Sequence, residues 1–250
     1  MRILPKILIS LILALAPCVA QKAMFFGQNV VIAGGGGSVT VSNSTIPAAC
    51  ADGSASCSYA SVSMSSGSTY VVYVAYCTSS SCSTGDFTTV SVSDGTNTYT
   101  EVAAAAVITN EWTVKAFVAT NVTSGTYTIT ISKTGSGTFY YTTTALIELA
   151  GGNLSSPVDS SVSNQTGGLS SSTPSLTSSG NVSASGEMAL AYMFCKFTMS
   201  SVTGSFSTLQ TIGTTAALAN LANPSPGAPI TASAACSSGQ YWFSLIAVQP

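Results

Sequence analysis

The sequence predicts an all-β fold, either an antiparallel sandwich of two sheets or a barrel. From residue 24 onward, hydrophobic residues alternate with polar ones in short runs, which is the period of a β-strand. Gly, Ser, Asn and Asp separate these runs, and these residues favour turns. No stretch shows a convincing helical period, and residues 216–222 are the one candidate for a helical turn.

The strand expected at residues 126–132 (TYTITIS) shows the alternation most clearly. We expect Tyr127, Ile129 and Ile131 to point into the core and the intervening threonines to face solvent, because successive side chains of a strand lie on opposite faces. Residues 133–137 should form a hairpin loop. Further strands are expected at residues 25–33, 59–64, 70–77, 87–93, 98–109, 112–120, 139–149, 188–196, 206–212 and 241–248.

Residues 1–20 are predicted to be a signal peptide. Arg2 and Lys6 precede an apolar stretch at residues 7–16, and the small residues Cys18 and Ala20 stand at the −3 and −1 positions of a cleavage site. A lipoprotein cleavage box is the alternative, but a proline directly before Cys18 disfavours it. The apolar stretch is too short for a membrane span, so we expect none after cleavage.

The remainder is predicted to form one domain. Residues 21–37 should form an N-terminal strand and a glycine-rich joint, and residues 38–250 a single β-sandwich domain. The glycine run at 34–37 indicates a linker rather than a phosphate-binding loop, because no Lys-Ser/Thr follows it. Residues 151–181 are rich in Ser, Thr and Gly and are expected to cross between the sheets, because each flank has too few predicted strands for an independent sandwich.

Six cysteines remain after removal of the signal peptide, and an even number in an exported chain indicates disulfides. Other pairings are possible in principle, but proximity along the chain favours the following bridges: Cys50–Cys57, Cys77–Cys82 and Cys195–Cys236. Zinc is disfavoured because the chain has no histidine and no pair of cysteines has the spacing of a zinc knuckle.

Charged residues make up 6% of the chain, against about 25% in an ordinary globular domain. After cleavage, four lysines stand against eight carboxylates, and no arginine remains. The chain therefore lacks the basic patch with which proteins bind nucleic acid or an anionic membrane. Its surface must be hydrated through hydroxyl and amide groups.

Three stretches carry a resemblance to a known module: residues 91–99 (SVSDGTNTY), 146–151 (LIELAG) and 156–159 (SPVD). In this order they resemble a jelly-roll β-sandwich module of secreted bacterial proteins of unknown function, notably from acidobacteria-like soil organisms. The resemblance covers most of residues 40–250. It implies an all-β, two-sheet antiparallel, jelly-roll-like sandwich outside the cell, and it assigns no catalytic residue. Jelly rolls also host lectin-like and structural domains.

The stretch SDGTN (residues 93–97) could bind calcium through Asp94 and Asn97, or it could be a turn. Asp-Gly between two strands is a strong turn signal. An EF-hand loop needs a regular series of oxygen ligands that ends in a bidentate glutamate. Glu101 lies seven residues after Asp94, so the turn is favoured.

Catalysis is restricted by the absence of histidine, because no Ser-His-Asp or Cys-His arrangement can form. No Ser-x-x-Lys motif is present either. A glycosidase needs only two carboxylates, and we expect that Glu148 could meet Asp159 across the loop between them. The favoured interpretation is that all carboxylates of the candidate pool are solvated charges at strand ends. No cofactor is expected. The pool comprises Glu101, Glu111, Glu148, Asp159 and Glu187.

Aromatic rings are the best candidates for contact with sugars. The triplets FYY (residues 139–141) and YWF (residues 241–243) should place an aromatic outward whichever face is buried. Tyr140 and Trp242 are therefore the predicted exposed rings. Trp112 shares its strand face with valines and alanine and is expected in the core.

These observations predict an exported, non-catalytic surface or matrix module that binds a glycan or a protein partner. A self-assembling extracellular subunit of the filament type is one alternative, because threonine-faced strands with few charges leave strand edges unprotected. A glycoside hydrolase with paired carboxylates is another.

Overall fold

The computed structural model describes residues 37–78, 82, 89–107, 112–135, 137–168, 170–212, 215–237 and 239–250. The predicted signal peptide and the strand predicted at residues 25–33 lie outside them. The described residues form sixteen strands: β1 (Thr40–Thr45), β2 (Ser56–Met64), β3 (Thr69–Cys77), β4 (Val90–Ser93), β5 (Tyr99–Val107), β6 (Thr113–Ala119), β7 (Gly125–Lys133), β8 (Tyr140–Ala150), β9 (Asn164–Gly168), β10 (Ser175–Thr177), β11 (Met188–Cys195), β12 (Met199–Gly204), β13 (Ser207–Ile212), β14 (Ala216–Ala222), β15 (Thr231–Cys236) and β16 (Tyr241–Val248). Within the same residues, no helix is long and apolar enough to cross a membrane.

The strands form two halves with the same topology. In the first half, β1 to β8, the large sheet has the order β1-β8-β3-β6-β5 and the small sheet the order β2-β7-β4. In the second half, β9 to β16, the large sheet has the order β13-β14-β11-β16-β9 and the small sheet the order β10-β15-β12. If the strands of each half are numbered from one to eight in chain order, both large sheets have the order 1-8-3-6-5 and both small sheets the order 2-7-4.

This is the strand order of a jelly roll, with the fifth strand transferred to the large sheet. The pairings between the strands are antiparallel. The predicted fold class, an all-β antiparallel two-sheet sandwich of the jelly-roll type, is therefore confirmed, and the sandwich occurs twice.

The four sheets stack in four layers around three hydrophobic cores. The two large sheets face each other across a central core. The other face of each large sheet packs against its own small sheet, which gives two outer cores. In β3, Val71 and Tyr73 enter the central core while Val72 and Val74 enter an outer core. Strands buried on both faces explain continuous apolar runs such as residues 188–195 (MALAYMFC).

A pseudo-twofold axis relates the two halves. Tyr73 of β3 stacks on Tyr192 of β11, with ring centroids 5.5 Å apart and an interplanar angle of 18°. The two tyrosines are equivalent, because each lies six residues after a glycine with positive φ, Gly67 at 74° and Gly186 at 87°. At the rims, β1 contacts β13 and β5 contacts β9, as a twofold axis requires. The central core is therefore the isologous type of interface found in symmetric dimers.

Two sequence expectations about elements were wrong. Residues 216–222 form strand β14 rather than a helical turn, because β14 lies between β11 and β13 and buries its first four side chains. Residues 151–181 do more than cross between sheets, since they contain β9 and β10. Each half has eight strands, which is more than the sequence indicated for either flank.

The three predicted disulfides are confirmed. Cys195–Cys236 joins the last residue of β11 to the last residue of β15, and so ties the large sheet of the second half to its small sheet. Cys50–Cys57 closes the connection between β1 and β2, and Cys77–Cys82 closes the chain directly after β3. Three disulfides in one chain are typical of extracellular proteins.

The alternation predicted for residues 126–132 is also observed. Ile129 and Ile131 are fully buried, and Thr126 and Thr128 are exposed. Thr130 is half-buried, as is the ring of Tyr127, which packs against an outer core.

Candidate functional site

The structure does not expose either of the rings predicted to face solvent, Tyr140 and Trp242. Trp242 is completely buried, because β16 lies inside a large sheet with the central core on one face and an outer core on the other. A strand of this kind has no outward face, so the expectation for Trp242 is corrected. Tyr140 is half-buried and packs against the central core.

The exposed ring of this region is Tyr141. Its side chain is 49% exposed, and with Phe197 it forms the pair of exposed large hydrophobic residues among the described residues. The Tyr141 ring stacks on Trp112 at 6.3 Å and 27°. Trp112 contacts Phe194 at 4.4 Å, and Phe194 contacts Trp242 at 5.5 Å. The four rings form a row, here called the aromatic row, that runs from the surface into the central core.

The backbone of Tyr141 is strained. Its φ of 37° lies in the left-handed region, which costs a bulky residue roughly 1–3 kcal/mol. The register of β8 shifts at this point, because Tyr76 pairs with Thr142 whereas Cys77 pairs with Tyr140. Tyr141 is thus the extra residue of a bulge, which turns its side chain outward.

The connection between β1 and β2 holds this bulge in place. The Tyr141 N–H donates to Asp52 Oδ1 at 3.2 Å. Two backbone hydrogen bonds of 2.8 Å each, Gly53 N–H to Phe139 O and Phe139 N–H to Ser54 O, fasten the same connection to the residue before β8. Because Cys50–Cys57 closes the connection, the exposed ring stands on a rigid base. Strained, well-supported residues concentrate at functional sites.

The chemistry of this site suits a sugar. A flat ring can stack on the C–H face of a pyranose, and the phenol hydroxyl can exchange hydrogen bonds with sugar hydroxyls. Asp52 is exposed, and its second carboxylate oxygen has no partner among the described residues. It can therefore accept a hydrogen bond from a ligand.

Glu148 serves the fold rather than a surface site. It is 5% exposed, and its Oε1 accepts hydrogen bonds from Ser65 N–H at 2.5 Å and Ser68 Oγ at 3.0 Å. These bonds close the turn between β2 and β3. The interpretation of Glu148 as a solvated strand-end charge was therefore wrong.

Asp159 does not meet Glu148, because the chain has already passed into the second half. The Asp159 N–H donates to Ala247 O of β16 at 2.9 Å. Its carboxylate accepts from Ser161 N–H at 2.9 Å and from Ser183 N–H at 3.1 Å. In the described part of the chain, Glu148 and Asp159 share no hydrogen-bond partner, and the expected pair is corrected.

Asp159 lies beside Glu187 instead. Ser183 bridges the two, because its hydroxyl donates to Glu187 Oε1 at 2.9 Å while its N–H binds Asp159. Burial alone would raise the pKa of Asp159, but the hydrogen bonds from Ser161 and Ser183 outweigh it and lower that pKa. Burial raises the pKa of Glu187, and the negative charge of Asp159 adds to the effect against the hydrogen bonds from Ala184 and Ser183.

Among the described residues, two carboxylates of the predicted pool lie side by side. Asp159 and Glu187 are neighbours, but both are buried, at 4% and 0% exposure. Glu101 is on the surface and forms an ion pair with Lys115 at 2.9 Å. Glu111 lies outside the described residues.

The SDGTN stretch forms a turn. Asp94 Oδ1 accepts the N–H groups of Thr96 at 2.8 Å and Asn97 at 2.7 Å. Its Oδ2 accepts from Asn97 Nδ2 at 2.7 Å and from the Tyr99 hydroxyl at 3.1 Å. Partial burial would raise the pKa of Asp94, but these four donors outweigh it and lower the pKa. Donors contact both oxygens of Asp94, so this carboxylate holds the turn together.

Sequence reasoning missed Tyr141 and Asp52. The Asp-Gly pair at residues 52–53 signals a turn, but nothing local indicates that this turn holds the backbone of β8 in a bulge. Comparisons of the chain with protein-family models, with curated proteins and with solved structures found no match.

Proposed function

We propose that this chain is an exported, non-catalytic surface or matrix module that binds a glycan through Tyr141. The observation that carries the proposal is an exposed aromatic ring on a strained backbone, stacked on Trp112 and held by Asp52. The ring, its hydroxyl and the free oxygen of Asp52 supply one stacking surface and two kinds of hydrogen-bonding group.

Export is supported by the signal-peptide pattern of residues 1–20 and by the three disulfides. The low charge also fits a matrix of neutral polymers, because such a surface neither attracts nor repels polyanions strongly. The non-catalytic part of the proposal is supported by the absence of histidine and by the burial of Asp159 and Glu187.

The test is a binding assay of the mature chain against a panel of insoluble and soluble neutral polysaccharides. Tyr141→Ala should reduce binding of the retained glycan by tenfold or more, whereas Tyr141→Phe should keep most of it, because the ring is the main contact. Phe197→Ala is the matched control, since Phe197 is the other exposed large ring.

Binding can also be followed by tryptophan fluorescence. Trp112 stacks on Tyr141, so a sugar bound to Tyr141 should change the emission of Trp112. Unchanged binding by Tyr141→Ala would contradict the site. Release of reducing sugar from the bound glycan would contradict the non-catalytic assignment.

A self-assembling structural subunit is the second candidate, and one observation favours it. The exposed residues of the small sheet of the first half are serine, threonine, alanine and glycine. Charged residues usually protect such sheets from association. Thr128→Lys should then abolish concentration-dependent assembly in sedimentation experiments. A monomer at all concentrations would rule this candidate out.

A further inference from the structure

A cleft of about 470 Å³ opens at one end of the second half. Its walls are the connection between β12 and β13 and the longer connection between β14 and β15. Sites for small molecules enclose about 300–1,000 Å³. The cleft is therefore large enough for one or two sugar units.

Comparison of the two halves explains the cleft. In the first half, the equivalent β4–β5 connection is the SDGTN turn, and Asn97 Oδ1 accepts the Thr123 N–H of the β6–β7 connection at 2.9 Å. The two connections thereby close that end. In the second half, only residues 205 and 206 separate β12 from β13. A connection this short does not fill the space below the β14–β15 connection, so a cleft remains where the first half is sealed.

Polar side chains of the cleft are available to a ligand, and hydrogen bonds hold one of them, Asn223, in place. Asn223 has a φ of 50°; its N–H donates to Glu187 O at 2.9 Å, and its Oδ1 accepts the Gly186 N–H at 2.8 Å. Its amide nitrogen has no partner in the described part of the chain. The same holds for the side-chain hydroxyls of Ser205 and Ser225, which also line the cleft.

The lining indicates the class of ligand. It contains no charged residue, so an ionic ligand would lose hydration without gaining a counter-charge. A purely apolar ligand would leave the hydroxyls and the amide unpaired, which is costly. Leu221 and Ile230 add apolar surface beside these polar groups. A ring with hydroxyls at its rim and C–H groups on its faces satisfies both kinds of surface. We propose that this cleft is a second saccharide site, which takes a neutral sugar unit.

The cleft is independent of the Tyr141 site. Asn223 accepts a hydrogen bond from Gly186, which lies two residues before β11 begins. Tyr141 lies at the other end of β11, because its ring stacks on Trp112 and Trp112 contacts Phe194. The eight residues of β11 span about 25 Å. The two sites share no residue, so this inference does not rest on the function proposed for Tyr141.

The experiment is an NMR titration of the ¹⁵N-labelled mature chain with cellobiose, maltose and diacetylchitobiose. At least one of the three should shift the Asn223 side-chain amide and the backbone amides of residues 204–206 and 225. Ser205→Ala combined with Ser225→Ala should weaken this binding by about tenfold, because two hydrogen bonds are lost. Ser124→Ala is the matched control, since it removes an exposed serine from the equivalent connection of the sealed half, and it should change nothing.

The same titration of Tyr141→Ala separates the two sites. Shifts at the cleft should persist in this variant, whatever happens at the Tyr141 end. The inference is overturned if none of the three sugars shifts the cleft resonances. It is also overturned if cyclohexanol or a neutral proline-containing peptide shifts them as strongly as the sugars, or if the double serine variant binds like the wild type.

Discussion

At the scale of single residues, environment decides which of two similar side chains is available to a ligand. Tyr140 and Tyr141 are neighbours, yet one packs on the central core and the other is exposed, because a one-residue bulge separates them. Trp242 looked equally suitable in the sequence but is buried in the central core, on a strand that has a core on each face. A pattern of alternation locates faces, but it cannot show that a strand lacks a solvent face.

The strain at Tyr141 can be measured by comparing Tyr141→Gly with Tyr141→Ala. Both variants lose the ring, but only glycine adopts a positive φ without steric cost. The glycine variant should therefore be more stable than the alanine variant by about 1 kcal/mol in denaturant unfolding. Both should lose glycan binding at the Tyr141 site. Equal stabilities would show that the backbone at residue 141 is not strained.

The buried carboxyl groups of Asp159 and Glu187 should change the stability of the protein with pH in opposite directions. The pKa of Asp159 is lowered by folding, so its contribution is present at neutral pH and is lost as the pH falls below its unfolded pKa of about 4. The pKa of Glu187 is raised, so its contribution is complete in acid and is lost as the pH rises through the raised value.

Melting temperatures of Glu187→Gln and Asp159→Asn between pH 3 and pH 8 test these signs. As the pH rises, the melting temperature of Glu187→Gln should increase relative to that of the wild type. The melting temperature of Asp159→Asn should decrease relative to that of the wild type. Thr128→Ala, which changes no titrating group, should parallel the wild type throughout. Parallel curves for Glu187→Gln as well would contradict the raised pKa.

At the scale of elements, the sequence predicted the strands with the strongest patterns. The apolar runs of β3, β11 and β16 and the alternation of β7 were evident because burial leaves a clear period. Short strands such as β10 and β12 were missed, because their Ser- and Thr-rich sequences also suit loops. The alanine-rich β14 favours a helix locally, and only pairing with β11 and β13 makes it a strand.

The two faces of β7 should respond differently to truncation. Ile129→Ala should cost about 2–5 kcal/mol, because it leaves a cavity in an outer core. Thr128→Ala should change the free energy of unfolding by less than about 0.5 kcal/mol, because its side chain is exposed. Urea unfolding of both variants gives the comparison. A larger loss for Thr128→Ala in a protein that stays monomeric would reverse the assignment of inside and outside.

At the scale of the whole molecule, two jelly rolls share one core and differ in the contacts around it. The N–H of Ser65, two residues before Gly67, is bound by Glu148 of β8. The equivalent N–H of Ala184, two residues before Gly186, is bound by Glu187 at 2.7 Å. Each half thus supplies a carboxylate to the same backbone group, from β8 in the first half and from the residue directly before β11 in the second. The contact is therefore the same in both halves, although the residues that make it differ.

A shared core should make the two halves unfold together. Trp112 lies in the first half and Trp242 in the second, and both pack in the central core. Variants that keep one tryptophan each, Trp112→Phe and Trp242→Phe, should report a single transition whose midpoint matches that seen by far-UV circular dichroism. Two separated transitions within one variant would show that each half is stable alone.

The interface marked by the stacked tyrosines joins two parts of one chain, and this affects how it responds to dilution of the protein. Two separate subunits joined by such an interface would fall apart once their concentration dropped below the dissociation constant. One chain holds the two halves at an effective concentration in the millimolar range or above, however dilute the protein becomes. Under the export proposed above, the protein would be strongly diluted outside the cell. Covalent linkage of the halves therefore keeps the central core intact in each molecule at any dilution.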